Sequence, residues 1–127
     1  MGNIVIETSD APEAIGTYSK GIKSGNLVFT SGQLPLNPDT GELINGDFKM
    51  EVSQVLTNLN AVLKSGGSSL KKAIKLTVFL TDLSYFPQVN EVFSEFFPED
   101  SPARSAVQVS ALPMNAKIEI EAVGSVE

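Results

Sequence analysis

The chain has 127 residues, the usual size of one folded domain, and we expect residues 1–127 to form a single domain. Its net charge is −6, from 9 basic and 15 acidic residues, so nucleic-acid binding, which needs a clustered basic surface, is not expected. Cysteine and histidine are both absent, which excludes disulfides, thiolate metal sites and Ser-His or Cys-His catalysis, and leaves carboxylates, lysine, tyrosine, the backbone or water to transfer protons.

Three short strands and a long loop are predicted in the first part of the chain. Residues 3–7 are largely β-branched, and residues 18–29 have the pattern of two strands joined by a turn at 23–26. Residues 34–46 carry prolines, asparagines and glycines, which predict a loop.

A helix is predicted from residue 48, because the spacing of apolar residues changes there to three and four. One apolar stripe contains Phe48, Val52, Val55, Leu56, Leu59, Val62 and Leu63. Asp47 is the expected N-cap, and Gly66 and Gly67 are expected to end the helix.

The second half predicts a strand, a helix and two more strands. The first strand has an aliphatic row formed by Ile74, Leu76, Val78 and Leu80. In the helix that follows, Ser84 is the expected N-cap and Pro87 lies in the first turn. Residues 104–110 and 117–126 alternate as strands. The order βββαβαββ indicates an α+β fold, with a mixed six-stranded sheet and two helices on one of its faces.

Alternation in the last two strands predicts which side chains face away from the helices. This group contains Arg104, Ala106, Gln108, Glu119 and Glu121, whereas Val107, Val109, Ile118, Ile120 and Ala122 would face the helices. Apolar side chains such as Phe29 and Phe79 also emerge on the face without helices. Scattered surface apolar residues are common. We favour the alternative, that copies of the same chain bury this face.

Arg104 is the only arginine in the chain, and we expect it beside Glu119 and Glu121. A guanidinium binds a carboxylate with two parallel hydrogen bonds, which lysine does not offer. A lone arginine is more often part of a surface ion pair, however, and alternating charges are typical of a solvated strand. Taken alone, neither Tyr18 nor Asn90 indicates a functional site. Nucleophile-elbow, phosphate-loop, dinucleotide and metal-ligand motifs are all absent from the sequence.

Neither a membrane segment nor an export signal is predicted. No apolar run approaches the roughly 20 residues that cross a bilayer. The apolar stretch at 3–6 is too short for a signal peptide, and Glu7 and Asp10 follow it. We therefore expect a cytoplasmic protein without membrane contact.

Four segments, in this order and at these intervals, resemble the RidA/YjgF family. They are APEAIGTYSKG at 11–21, TSGQLP at 30–35, KLTVFLTDL at 75–83, and PARSAV at 102–107 continuing through LP at 112–113 to IEIEA at 118–122. One such segment would be weak evidence for the family, but the combination of all four is specific. The resemblance covers essentially the whole chain.

The resemblance implies a chorismate-mutase-like fold and a homotrimer with its sites between subunits. It also implies hydrolysis of small reactive 2-imino acids or their enamine tautomers, such as 2-aminoacrylate, 2-iminopropanoate and 2-iminobutanoate, to 2-keto acids and ammonia, without metal or cofactor. Arg104 would bind the substrate carboxylate and Glu119 would activate water. The rest of the implied site comprises Ser31, Gly32, the backbone of Ala106, Asn90 and Tyr18, the last from a neighbouring subunit.

Three other functions stay open on the sequence, and one of them, a chaperone-like activity, leaves no sequence signature. A trimer of this kind could bind a small carboxylate as a regulatory module without turning it over. Ribonuclease activity has been attached to family members, but the acidic charge and the missing histidines disfavour it here. Ala106 stands where many members have cysteine, so thiol-based regulation is not expected. The physiological imine is not identified by the sequence.

Overall fold

Six strands form one mixed sheet in the computed structural model, which describes residues 2–127. In chain order the strands are β1 (Ile4–Ile6), β2 (Gly21–Ser24), β3 (Leu27–Thr30), β4 (Ala73–Leu80), β5 (Ala103–Gln108) and β6 (Ile118–Ser125). They lie side by side in the order β1-β2-β3-β6-β4-β5. β4 and β5 are parallel, and the other neighbours are antiparallel. The predicted order and the mixed sheet are confirmed.

Two helices, α1 (Phe48–Ser65) and α2 (Phe86–Phe96), complete the fold. The Asp47 side chain accepts a hydrogen bond from the backbone N–H of Met50 at 2.9 Å, and the Gly66 N–H donates to the carbonyl of Leu63 at 3.0 Å. Both predicted ends of α1 are therefore confirmed. Within residues 2–127, neither helix combines the length and the apolar character that spanning a bilayer requires.

The predicted N-cap of the second helix was wrong. Ser84 lies inside a 3₁₀ turn, Leu83–Tyr85, that precedes α2. The carboxylate of Asp82 caps this turn by accepting the backbone N–H of Ser84 at 2.8 Å, so the serine is the donor and not the cap. Pro87 lies in the first turn of α2, as predicted, where its missing N–H leaves no hydrogen bond unmade.

Both helices pack against one side of the sheet, called here the helix face; the other side is the open face. The stripe of α1 meets fully buried side chains of β4 and β6 in one apolar cluster: Leu76, Val78, Leu80, Ile118 and Ile120. Ile74 was predicted to extend this row, but it is 47% exposed. The ladder between β4 and β6 shifts register between Ala73 and Lys75, so the alternation does not continue through Ile74.

The predicted facing of β6 is correct, and that of β5 is wrong. Arg104 pairs with Leu76 and Ala106 pairs with Val78 across the parallel ladder. Residues paired directly across two strands point to the same face. Arg104 and Ala106 therefore lie on the helix face, while Val107, paired with Phe79, lies on the open face. Because β5 is the edge strand, apolar alternation does not report which of its faces is covered.

The open face carries apolar side chains, as the alternation predicted. Phe29 and Val107 are 42% and 43% exposed. Phe79 and Val123 beside them are partly buried. Glu119 lies on the same face, because it pairs with Phe79 across the β4–β6 ladder.

Candidate functional site

Glu119 lies in a cleft of about 500 Å³ beside β6, called here the glutamate pocket. Its walls come from the chain between β1 and β2, the loop after β3 and the turn before β6. The lining includes Pro12, Glu13, Ile15, Tyr18, Lys20, Ser31, Gly32, Gln33, Leu34, Leu36, Pro113, Met114, Glu119 and Glu121. Four of the predicted site residues, Tyr18, Ser31, Gly32 and Glu119, therefore share this pocket.

Backbone hydrogen bonds fix the loop after β3 against β6. The N–H of Gln33 donates to the carbonyl of Ile120 at 2.8 Å, and the N–H of Ile120 donates back to Gln33 at 3.1 Å. The N–H of Ser31 donates to the carbonyl of Lys20 at 2.8 Å. Because the residues on both sides of Gly32 are anchored in this way, its position next to Glu119 is set by the backbone.

Gly32 makes the approach of Glu119 possible. A Cβ atom at residue 32 would lie 2.8 Å from Cδ of Glu119 and closer still to one of its carboxylate oxygens. Such a distance is shorter than van der Waals contact. The carboxylate thus occupies the space that any other side chain at this position would need.

The environment of Glu119 makes its carboxyl a weaker acid than a glutamate in open water. Burial raises the pKa of Glu119, and the negative charge of Glu121 raises it further. Arginine and lysine are not among the causes of the shift. A carboxyl whose pKa moves toward neutral pH is better suited to accept and return a proton than one in open water.

Two predicted residues of the pocket already have partners in the free chain. The Ser31 hydroxyl donates to the carbonyl of Ser19 at 2.5 Å, so it holds the loop. The Tyr18 hydroxyl accepts the backbone N–H of Ile15 at 3.3 Å. The Tyr18 side chain is nonetheless 50% exposed at the pocket, and its O–H proton is available to a ligand.

Arg104 lies in a second cleft of about 430 Å³, called here the arginine pocket. Its guanidinium donates to the side-chain carbonyl of Asn90 at 2.8 Å. Its Cζ lies 4.9 Å from the ring centre of Phe86 and 5.2 Å from that of Phe93, distances at which a cation is attracted to an aromatic face. Residues of α2 therefore hold the Arg104 guanidinium through two aromatic rings and one hydrogen bond.

Most of the hydrogen-bonding capacity of Arg104 is unused. A guanidinium carries five N–H donors. Across residues 2–127, Asn90 is the one acceptor of this side chain, and no carboxylate forms an ion pair with it. An unpaired guanidinium held by aromatic rings and an amide is suited to bind an external anion.

The structure does not bring Arg104 and Glu119 together within one chain. The two residues project from opposite faces of the sheet and line different pockets. Asn90 lines the arginine pocket with Arg104, and Ala106 follows Arg104 on β5 with its methyl group packed against the core. The predicted residues therefore form two half-sites.

Three residues that shape the glutamate pocket were missed from the sequence. The buried amide of Asn58 donates to the carbonyls of Leu34 and Leu36 at 3.1 and 3.0 Å and so holds one wall. The sequence feature that could have identified Asn58 is its position, as a polar residue, within the buried surface of α1. Lys20 and Gln33 are the other two, and both are buried. No three acidic side chains of residues 2–127 are grouped as a metal site.

We predict that Glu119→Gln raises the free energy of unfolding near neutral pH. Because burial raises the pKa of Glu119, its contribution to stability is full below the unfolded pKa of about 4.3 and is lost as pH rises through the higher folded value. Glutamine does not ionise. The difference between variant and wild type should therefore be near zero in acid and grow as pH increases.

Urea unfolding at a series of pH values measures this difference. Glu42→Gln, in an exposed loop, is the control because it changes net charge equally. A difference between Glu119→Gln and wild type that is the same at every pH would contradict the burial of this carboxyl.

Comparison with known proteins places the chain in a family. It matches the family model described as Endoribonuclease L-PSP over residues 8–126. It is 39% identical over 123 residues to the 2-iminobutanoate/2-iminopropanoate deaminase of Dermatophagoides farinae, covering 97% of this chain and 96% of that protein. It is 46% identical over 121 residues to Reactive Intermediate Deaminase A, chloroplastic, of Arabidopsis thaliana, covering 95% of this chain and 65% of the plant protein.

Solved structures agree with this assignment. The crystal structure of E. coli TdcF with bound serine matches the chain with a TM-score of 0.91 at 44% sequence identity, covering 96% of this chain and 98% of that one. Sequence and structure thus agree over nearly the full length of both chains. This chain belongs to the YjgF/RidA family.

Proposed function

We propose that this protein hydrolyses small reactive 2-imino acids and their enamine tautomers to 2-keto acids and ammonia. The observation that carries the proposal is the Arg104 guanidinium, which is held by Asn90 and two phenyl rings and has no carboxylate partner in residues 2–127. The names of the mite and plant relatives, an iminobutanoate/iminopropanoate deaminase and a reactive intermediate deaminase, support the same activity.

In the proposed complex Arg104 binds the substrate carboxylate. The planar guanidinium offers two parallel N–H groups to the two carboxylate oxygens, while Asn90 keeps it oriented. Backbone groups of β5 near Ala106 lie at a sheet edge, where those not bonded to β4 are free to contact the ligand. Serine, bound in the TdcF structure, has a carboxylate of the same kind.

Glu119 supplies the proton transfer. Its carboxylate accepts a proton from water as the water oxygen bonds to the imine carbon, and it passes this proton to the imine nitrogen to give a carbinolamine. Glu119 then moves the hydroxyl proton of the carbinolamine to nitrogen, so the C–N bond breaks, ammonia leaves and the C–O bond becomes the keto group. The raised pKa of Glu119 suits a group that takes and returns protons. No metal or cofactor enters this scheme.

We further propose that the half-sites meet between subunits of a homotrimer. The glutamate pocket of one chain, with Tyr18, Ser31 and Gly32, would face the arginine pocket of its neighbour. Phe29 and Val107 are partly exposed on the open face, and an interface between subunits would bury their apolar surface. A cytoplasmic location stays a prediction, since the Arabidopsis relative is named chloroplastic.

We predict that Arg104→Ala lowers kcat/KM for 2-iminobutanoate about 10- to 100-fold, the loss expected for one charge-assisted hydrogen-bonded contact. Arg104→Lys should recover only part of it, because an ammonium does not bind both carboxylate oxygens in one plane. The imine is generated with threonine dehydratase, and its disappearance is followed by absorbance.

Lys71→Ala is the control, since it removes an exposed positive charge outside both pockets. Full activity in Arg104→Ala would overturn the proposal. If wild type binds 2-ketobutyrate but consumes no imine, the protein is a carboxylate-binding regulatory module. RNA cleavage by a nuclease-free preparation would favour the activity that the family description names.

We predict that Gly32→Ala lowers kcat about 10- to 100-fold while the protein stays folded, because misplacing a reacting group by an ångström has effects of this size. The new methyl group would displace the Glu119 carboxylate. In a Glu119→Ala background the same substitution should change kcat little. Additive losses in this double-mutant cycle would show that Gly32 acts independently of Glu119.

A further inference from the structure

Residues 8–18, called here the strap, connect β1 to β2 without regular secondary structure. The strap supplies one wall of the glutamate pocket through Pro12, Glu13, Ile15 and Tyr18. From Glu13 to Tyr18 every residue except half-buried Ala14 is exposed, Ile15 at 69%, so packing holds little of this part of the strap. Contacts other than side-chain packing must therefore help to keep this wall of the glutamate pocket in place.

Packing and hydrogen bonds both attach the strap to the domain. Ala11 and Pro12 are buried, and Ala11 belongs to the apolar core. The Lys20 ammonium donates to the carbonyl of Thr8 at 2.5 Å and to that of Ala11 at 3.1 Å. In the part of the chain that the structure describes, these are the only hydrogen bonds that join the strap to the residues after it.

Lys20 is itself unusual, because its side chain is only 7% exposed. Lysine is almost never fully buried unless it is paired, and no carboxylate within residues 2–127 forms an ion pair with this one. Backbone carbonyls satisfy its ammonium instead. The Lys20 backbone carbonyl also accepts the N–H of Ser31, so one residue ties the strap to the loop that carries Gly32.

We propose that Lys20 is a positioning residue that holds the strap, and with it Tyr18, in the shape that binds substrate. This inference rests on the proposed function of the glutamate pocket. Glu119 is placed separately, by the paired bonds between Gln33 and Ile120. Loss of Lys20 should therefore weaken substrate binding more than it slows the proton transfer.

Lys20→Met tests the proposal, since methionine keeps much of the length but donates no hydrogen bond. We expect KM to rise about tenfold with kcat within about twofold, the pattern for loss of binding contacts made equally in the ground and transition states. Amide hydrogen exchange should quicken within residues 8–18 and stay unchanged in α1. Lys23→Met is the matched control, because Lys23 on β2 makes no side-chain hydrogen bond within residues 2–127.

Lys20→Arg, which keeps several donors, should restore much of the KM and the slow exchange. If Lys20→Met does not fold, Lys20→Gln is measured instead. Its single amide group is then the only side-chain donor for the two carbonyls. Unchanged exchange in the strap, or faster exchange with unchanged KM, would overturn the role of Lys20. If wild type consumes no imine, the proposed function fails separately, and the affinity for 2-ketobutyrate measured by calorimetry takes the place of KM.

Discussion

The register of β4 with its two neighbours governs the candidate site. The parallel ladder to β5 turns Arg104 toward α2, and the antiparallel ladder to β6 turns Glu119 to the other face. The faces of paired strand residues are fixed by the ladder, so side-chain rotation alone does not bring these two groups to one point. One chain therefore holds Glu119 and Arg104 in two separate pockets, each organised by its own contacts.

The half-sites differ in chemistry in a way that suits one small substrate. On one side, a guanidinium without a carboxylate partner in residues 2–127 is held by an amide and two aromatic rings. On the other, a glutamate whose pKa is raised by burial lies against a glycine. An imine is already electrophilic, so the proposed hydrolysis needs a group that anchors the carboxylate and a group that moves protons. Apolar area on the open face provides the surface through which neighbouring chains would join the halves.

For elements that bury one face against the core, the sequence predicts which face is buried. For the other elements it does not. The stripe of α1 and the rows of β4 and β6 report their burial directly. β5 does not, since this edge strand exposes Val107 while the guanidinium of Arg104 lies over the phenyl rings of α2. The exposure of Ile74 follows from a register shift, which no side-chain pattern shows. Family resemblance predicted the site residues, but their division into two pockets needed the strand registers.

In the proposed homotrimer each site takes Arg104 from one subunit and Glu119 from its neighbour. Arg104→Ala and Glu119→Gln chains, each weakly active alone, are dissociated together and reassembled. Random reassembly of an equimolar mixture then gives both intact groups in about one site in four, and imine hydrolysis returns to about a quarter of the wild-type rate. Activity that stays at the level of the separate variants, in assemblies shown by mass to be mixed, would contradict the account.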